Sequence, residues 1–191
     1  MKRKREEQFV DMDECLFTTK NIELYTLGVS TCIALVIRGY FYNDDDQKTP
    51  FCGLWHWSGF NPDEGIEPDG TEVLNSFFEY AEKQLEFGDN TILYLSELQF
   101  IGGEHPEYSD NGELNLNGTE NEVNELQMAC KKLKTLVYDI QVKPENIKWH
   151  NFLTENDTSM LVKVSLDECS YEVQNADSNT FSPPPISKPR L

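Results

Sequence analysis

The stretch Leu24–Ile37, with the sequence L-Y-T-L-G-V-S-T-C-I-A-L-V-I, constrains the fold more than any other part of the chain. Extended sequence interrupted at Gly28 and Ser30 predicts a strand, a tight turn and a second strand. The second strand, residues 33–37, is too apolar and β-branched for a surface position. We therefore expect it to be buried in a sheet.

Cys32 lies where this turn meets the buried strand. A thiol at that point is held rigidly, beside backbone N–H groups that the turn leaves unpaired. A fixed sulfur and ready oxyanion donors are what a nucleophile requires. The alternative is a small apolar residue entering the core, because free cysteine is among the most buried residue types.

Length and composition indicate one globular domain. The chain has 191 residues, of which 38% are hydrophobic and 12% aromatic, enough to build a proper core. No apolar run approaches the roughly 20 residues of a membrane span. The first residues, M-K-R-K-R-E-E, lack the apolar stretch of a signal peptide. We therefore expect a soluble, cytoplasmic protein with no membrane partner.

Charge and cysteine usage narrow the partners. The net charge of −18 disfavours nucleic acid, whose phosphates would be repelled, and permits a basic protein partner. The five cysteines are odd in number and form no C-x-x-C pair. This pattern is typical of reduced cytosolic thiols rather than of a disulfide framework or a zinc site.

Pattern along the chain divides it into three parts. We expect residues 1–20 to form a polar N-terminal segment that is loose or lies at a sheet edge. Residues 21–174 are expected to form the domain, and residues 175–191 a flexible Pro/Ser-rich tail. Strands are predicted at residues 21–26, 32–42, 51–58, 91–101, 147–153, 159–166 and 170–174.

Two helices are predicted between these strands. The first begins near Thr71 and ends at Gly88, with Asp69 and Glu72 as a capping box. The second begins at Thr119 and carries an apolar stripe as far as residue 140. The order of elements predicts a single-domain α/β sandwich with a mixed, largely antiparallel sheet and two helices.

His56 is the candidate partner of the thiol. Strand alternation places it on the face opposite Trp55 and Trp57. If its strand neighbours that of Cys32, thiol and imidazole meet, which would lower the thiol pKa. Thr26, six residues before the cysteine, would orient the ring through its hydroxyl or carbonyl.

The alternative for His56 is a structural role, as a core histidine bonded to a backbone carbonyl. Its C-x-x-x-H spacing with Cys52 lacks a second pair, so no metal site is predicted. His105, in a polar loop, and His150, at a strand end, are predicted not to be catalytic.

Three motifs together resemble the CheD family of glutamine deamidases. They are T-L-G-V-S-T-C-I-A-L at residues 26–35, C-G-L-W-H at residues 52–56 and F-I-G-G at residues 100–103. Their order matches the family over roughly residues 21–174. The same Cys-His arrangement is shared with deamidase toxins of the cytotoxic-necrotizing-factor type.

The resemblance implies a nucleophile at Cys32, a general base at His56 and an orienting residue at Thr26. We expect backbone N–H groups at Thr31 and Cys32 to hold the oxyanion, in a turn where Ser30 and Thr31 replace the Gly and Ser of the family. The implied reaction converts a protein glutamine to glutamate without a cofactor or metal.

The resemblance leaves the biological setting open between a chemotaxis enzyme and a toxin or effector acting in a host cytosol. We expect a monomer whose partner is the substrate protein. The alternatives are a transglutaminase or thiol protease with the same site, or a non-catalytic acidic protein-binding module on the same scaffold.

Overall fold

The computed structural model describes residues 5–60, 69–87, 91–116, 118–133, 140–154 and 158–175. Its strands are β1 (Glu6–Phe9), β2 (Cys15–Thr18), β3 (Ile22–Val29), β4 (Ile33–Tyr42), β5 (Lys48–Trp57), β6 (Leu93–Gly102), β7 (Glu107–Tyr108), β8 (Leu114–Leu116), β9 (Ile140–Val142), β10 (Ile147–His150), β11 (Thr158–Val164) and β12 (Cys169–Asn175). The helices are α1 (Gly70–Leu85) and α2 (Glu120–Cys130). The predicted tail lies outside the described residues from position 176 onward.

The strands form two main sheets. The small sheet has the order β1-β3-β11-β12, and the large sheet has the order β10-β6-β4-β5-β2, with β9 also paired to β6. The pairs β4–β5, β4–β6, β2–β5, β3–β11 and β11–β12 are antiparallel, whereas β1–β3, β6–β9 and β6–β10 are parallel. The predicted α/β class with mixed, largely antiparallel pairing is confirmed.

The structure differs from the single sheet predicted by sequence. β3 and β4 lie in different sheets, so the turn at residues 30–32 carries the chain from one sheet to the other. The predicted polar loop after β6 also contains a separate two-stranded sheet of β7 and β8. The alternation of apolar and polar residues along a strand indicates which face is buried but not which strands pair. The separation of β3 and β4 into two sheets could therefore not be predicted from the sequence.

The large sheet is covered on both faces. One face packs on the helices, where Leu35, Trp55 and Phe100 contact a cluster that includes Phe77 and Leu126. Burying a side chain such as Phe77 completely stabilises the fold by about 1.5–3 kcal/mol. The central strands are therefore apolar on both faces, as residues 33–37 indicated.

The other face of the large sheet packs on the small sheet. Val36, Leu54 and Ile101 of the large sheet form one buried cluster with Leu24 and Val162 of the small sheet. His56 lies on this side of its strand, because Trp55 and Trp57 belong to the cluster facing the helices. The alternation predicted for this strand is confirmed.

Helix α1 begins as the sequence predicted. The Asp69 side chain accepts a hydrogen bond from the N–H of Thr71 at 2.7 Å. The helix ends at Leu85, and Glu86 takes the left-handed conformation with φ 54°. The predicted terminator, Gly88, lies outside the described residues.

Helix α2 is shorter than predicted. It ends at Cys130, and Ile140 begins β9, which pairs in parallel with β6. The helical spacing of apolar residues, in steps of three and four, therefore continues in the sequence beyond the end of the helix, which is why the predicted helix was too long. Thr119 occupies the N-cap position, but its hydroxyl accepts from the N–H of Glu104 at 3.0 Å instead of capping the helix.

The N-terminal segment supplies an edge strand to each main sheet. β1 lies at the edge of the small sheet and β2 at the edge of the large sheet. Val10, between them, is completely buried, and its N–H donates to the carbonyl of Tyr25 at 2.8 Å. Residues 5–18 are thus held by the body of the fold.

The end of β6 fixes the turn between the two sheets. The N–H of Gly103 donates to the carbonyl oxygens of Ser30 at 2.7 Å and Cys32 at 2.9 Å. Gly102 has φ +108°, and a Cβ atom there would collide with the carbonyl oxygen of Cys32. Only glycine fits both the dihedral angle and the close approach at this point.

We expect Gly102→Ala to lower the free energy of unfolding by at least about 2 kcal/mol, because strain at positive φ adds to overpacking against the turn. The matched control is Gly112→Ala, since Gly112 has φ +79° and no atom within 4 Å of an added Cβ. The control should cost only about 1–2 kcal/mol. Urea unfolding of both variants tests this, and equal losses would contradict it.

Candidate active site

Thr26 and His56 meet between the two sheets. β3 of the small sheet carries Thr26, and β5 of the large sheet carries His56. The Thr26 Oγ1 lies 2.6 Å from the His56 Nδ1. The two residues are 0% and 5% exposed, so this hydrogen bond fixes the orientation of a buried ring.

Cys32 immediately precedes β4, the strand next to that of His56. In the β4–β5 register His56 is paired with Ala34, two residues after the cysteine. The Cys32 Sγ contacts the Met12 Sδ at 4.0 Å, and the backbone of Met12 forms a bridge with His56. Met12 therefore contacts both the Cys32 thiol and the backbone of His56.

The thiol and the imidazole do not form a hydrogen bond in this structure. The His56 Nε2 is buried and has no hydrogen-bond partner among the described residues. The ring thus uses one nitrogen to bond Thr26, while the other has no partner in this part of the chain. A group that approaches Nε2 finds an oriented, desolvated base.

Both groups favour their neutral forms. Burial raises the pKa of the Cys32 thiol; the Thr31 hydroxyl and the Cys32 backbone N–H lower it by hydrogen bonding, while Asp13 and Glu104 raise it further. Burial lowers the pKa of His56, although Asp13 and Asp11 act in the opposite direction.

The direction of the thiol shift is opposite to the sequence-based prediction of a lowered pKa. That prediction assumed an ion pair between Cys32 and His56. Burial raises the free energy of both charged forms, so the neutral pair is the stable state near neutral pH.

The turn before the cysteine presents backbone donors. The carbonyl of Ser30 is used by Gly103, whereas in the described part of the chain no other residue accepts from the N–H of Thr31 or Cys32. The Thr31 hydroxyl lies at the sulfur as a hydrogen-bond donor. The arrangement is therefore able to stabilise an oxyanion formed at Cys32.

A segment that the sequence did not assign to the site lies across the end of β5. The N–H of Asp13 donates to the carbonyl of His56 at 2.6 Å, and the His56 N–H donates to the carbonyl of Glu14 at 3.2 Å. The Asp13 Oδ1 accepts from the N–H of Ser58 at 2.9 Å. We call residues 11–14 the N-terminal strap.

The strap brings Met12 to the thiol, with 57% of that residue exposed. Its position follows from the pairing of β2 with β5, in which Cys15 is opposite Trp55. The apolar residues of C-L-F-T were the available sequence signal, but four residues are too few to define a partner across forty positions.

Asn151 is a second residue that sequence did not single out. Its Nδ2 donates to the carbonyl of Gly102 at 2.6 Å, and the N–H of Phe152 donates to the carbonyl of Gly103 at 3.1 Å. The two glycines are thus held from the side opposite the Cys32 turn.

The remaining histidines bond other partners. The His105 Nδ1 lies 2.5 Å from the Glu120 Oε1, and its ring stacks on Phe152. The His150 Nδ1 lies 3.1 Å from the Tyr171 hydroxyl. Within residues that the structure describes, no group of three or more His, Cys, Asp or Glu side chains is placed to hold a metal ion.

Comparisons with known proteins give this chain no family. No model of a known protein family matches it, and no curated protein matches it. In the portion of the chain that the structure covers, neither helix has the length and apolar character needed to cross a membrane. Its function must therefore be argued from the geometry of Thr26, Cys32 and His56.

Proposed function

We propose that this protein is a thiol-dependent protein glutamine deamidase with Cys32 as nucleophile and His56 as general base. The observation that carries the proposal is the buried hydrogen bond between Thr26 and His56, which leaves Nε2 without a partner among the described residues, next to the strand that Cys32 precedes. Most buried side-chain polar atoms in folded proteins have a hydrogen-bond partner, so a buried ring nitrogen without one favours a role beyond packing.

In the proposed reaction His56 begins as the neutral tautomer with its proton on Nδ1, which donates to Thr26. As Cys32 attacks the amide carbonyl carbon, its proton passes to Nε2 and a C–S bond forms. The carbonyl oxygen becomes an oxyanion bound by the N–H groups of Thr31 and Cys32.

Collapse of this intermediate breaks the C–N bond. The proton on Nε2 passes to the departing nitrogen, which leaves as ammonia, and a thioester remains on Cys32. His56 then takes a proton from water as the hydroxide attacks the thioester. The protonated His56 returns this proton to the sulfur, and glutamate is released.

The remaining parts of the proposal concern setting. The reaction uses no cofactor or metal, and the partner is the protein that carries the target glutamine. We propose a monomer that acts in the cytoplasm, which would be the host cytosol if the protein is an effector. The same site would act as a transglutaminase if an amine replaced water, or as a protease if a peptide bond replaced the side-chain amide.

One observation favours a second candidate, the non-catalytic acidic binding module. Burial and two carboxylates raise the pKa of Cys32, which suits a structural thiol as well as a nucleophile that is deprotonated only during attack. The two candidates differ in whether the Cys32 thiol reacts: a deamidase requires it as a nucleophile, whereas a binding module does not.

The direct test is intact-mass analysis of candidate substrate proteins after incubation with the enzyme. We expect the mass change that replaces an amide NH₂ by OH, with ammonia released in equal amount. Cys32→Ser and His56→Ala should lose at least about a hundredfold of this activity. His105→Ala is the matched control and should retain most of it; a dead but folded His105→Ala would contradict the assignment.

Thr26→Val should reduce turnover while nearly preserving side-chain shape, because the ring loses its orienting partner. It should also lower the free energy of unfolding by about 1–3 kcal/mol, since the buried Nδ1 is left unpaired. Thr26→Ser keeps the hydroxyl and should retain more activity than Thr26→Val. Equal activity of the two variants would show that the hydroxyl is unnecessary.

The pH dependence of alkylation tests the protonation states. Because burial raises the pKa of Cys32 above 9.0, its thiolate fraction should increase about tenfold per pH unit from neutrality upward. Iodoacetamide labelling of Cys32, followed by peptide mapping, should show this rise. A labelling rate that is already at its plateau at neutral pH would indicate an ion pair instead.

The same experiment contains its own comparison. Burial raises the pKa of Cys52, Cys130 and Cys169 to about 12. We therefore expect Cys32 to be labelled before these three thiols in the folded protein.

Turnover should fall on the acid side only below pH 6.5, because burial lowers the pKa of His56 and its neutral form is the base.

A further inference from the structure

We propose that the glutamine recognised by this site lies between positively charged residues, because carboxylate-bearing segments border Cys32 on both sides. This inference rests on the proposed deamidase function for its substrate and concerns the charge of the surrounding peptide. Asp13 of the N-terminal strap and Glu104 after β6 are the residues that carry it.

Glu104 borders the thiol on the side of β6. It follows Gly103, whose N–H is bonded to the carbonyl of Cys32. The backbone of Glu104 is fixed to Thr119 by two hydrogen bonds, from its N–H to the hydroxyl at 3.0 Å and from the Thr119 N–H to its carbonyl at 2.9 Å. Its position relative to Cys32 is therefore set by the fold.

Asp13 borders the thiol on the side of β5. β5 and β6 are the two neighbours of β4, the strand that Cys32 precedes. Hydrogen bonds to His56 and Ser58 hold Asp13 there, next to Met12, which contacts the Cys32 sulfur. The two carboxylates thus belong to segments on opposite sides of one cysteine.

Neither carboxylate is neutralised within the described residues. No Lys, Arg or His of that part of the chain forms an ion pair with Asp13 or Glu104. Asp13 is exposed and Glu104 half-buried. Their charge therefore acts outward, on whatever approaches the thiol, and the chain's net charge of −18 adds a long-range attraction for cations.

A second observation, on which the proposed function also rests, concerns the histidine next to the strap. His56 is 5% exposed, and its Nε2 has no hydrogen-bond partner among the described residues. A buried nitrogen without a partner carries a free-energy cost that a bound group would remove. The strap that carries Asp13 is bonded to the backbone of this same histidine.

A cationic substrate would also change the protonation of the Cys32 thiol. Asp13 and Glu104 both raise the pKa of the Cys32 thiol. Lysine or arginine residues beside the glutamine would pair with these carboxylates and weaken their effect on the sulfur. The substrate would then favour loss of the thiol proton during the attack, whereas an acidic segment would be repelled.

The first test probes the charge at Cys32 without requiring any enzymatic activity. The full-length protein is treated with cationic trimethylammonioethyl methanethiosulfonate or anionic sulfonatoethyl methanethiosulfonate, and Cys32 modification is followed by peptide mapping. Each rate is divided by the rate of the same reagent with free 2-mercaptoethanol. At low salt we expect the cationic reagent to be favoured roughly tenfold.

Variants locate the origin of the preference. Asp13→Asn and Glu104→Gln should each reduce the ratio of the two rates, and the double variant should reduce it most. Glu172→Gln, an exposed carboxylate on β12 at the edge of the small sheet, is the matched control and should leave the ratio unchanged. A ratio near one in the wild type, or one insensitive to both substitutions, overturns the inference.

The second test measures ammonia release from two glutamine peptides of equal length, one with flanking lysines and one with flanking glutamates. We expect the lysine peptide to have the lower KM, with the advantage reduced by salt and by Asp13→Asn. Equal turnover of the two peptides overturns the inference. No release from either peptide, with the reagent preference intact, counts against the deamidase proposal and supports the charge selectivity.

Discussion

The candidate site depends on one hydrogen bond that joins the two main sheets, between Thr26 on β3 and His56 on β5. Such a bond contributes only about 0.5–1.5 kcal/mol net, so it does not hold the sheets together. That is done by the apolar layer in which Leu24 and Val162 pack against Val36 and Leu54. The layer fixes the separation of the sheets, and the bond then fixes the ring.

The packing of the two sheets against each other both orders the site and buries it. Burial orients His56 and also lowers its pKa, just as it raises the pKa of Cys32. A preformed ion pair is therefore disfavoured, and in the proposed reaction the thiol proton would pass to His56 as the sulfur attacks the substrate carbonyl. Nε2, which has no partner in the part of the chain that the structure describes, is the atom that would receive this proton.

Sequence reasoning predicted the parts of this site that depend on local pattern. The apolar run at residues 33–37 indicated a buried strand, and alternation placed His56 opposite its neighbouring tryptophans. The six-residue spacing between Thr26 and Cys32 suggested residues on either side of a turn. These are short-range properties, which a single sequence carries directly.

What sequence did not reveal depends on contacts between distant segments. The N-terminal strap reaches the site only because β2 pairs with β5, and Asn151 reaches it because β10 pairs with β6. The end of α2 was misplaced for a related reason. Ile140 fits an apolar stripe at helical spacing equally well, and only its pairing with Leu93 makes it a strand residue.

The division into two sheets explains how the chain makes a donor-rich turn at Cys32. In a hairpin, the residues around a turn enter a shared ladder, and their N–H groups are used within it. Here β3 and β4 separate into different sheets, so the turn between them belongs to neither ladder. Gly103 fixes it instead by donating to the carbonyls of Ser30 and Cys32. Carbonyl groups anchor the turn, and within the described residues no other residue accepts from the N–H groups of Thr31 and Cys32. In the proposed reaction these N–H groups would bind the oxyanion, so the crossing between the sheets would supply donors beside the nucleophile.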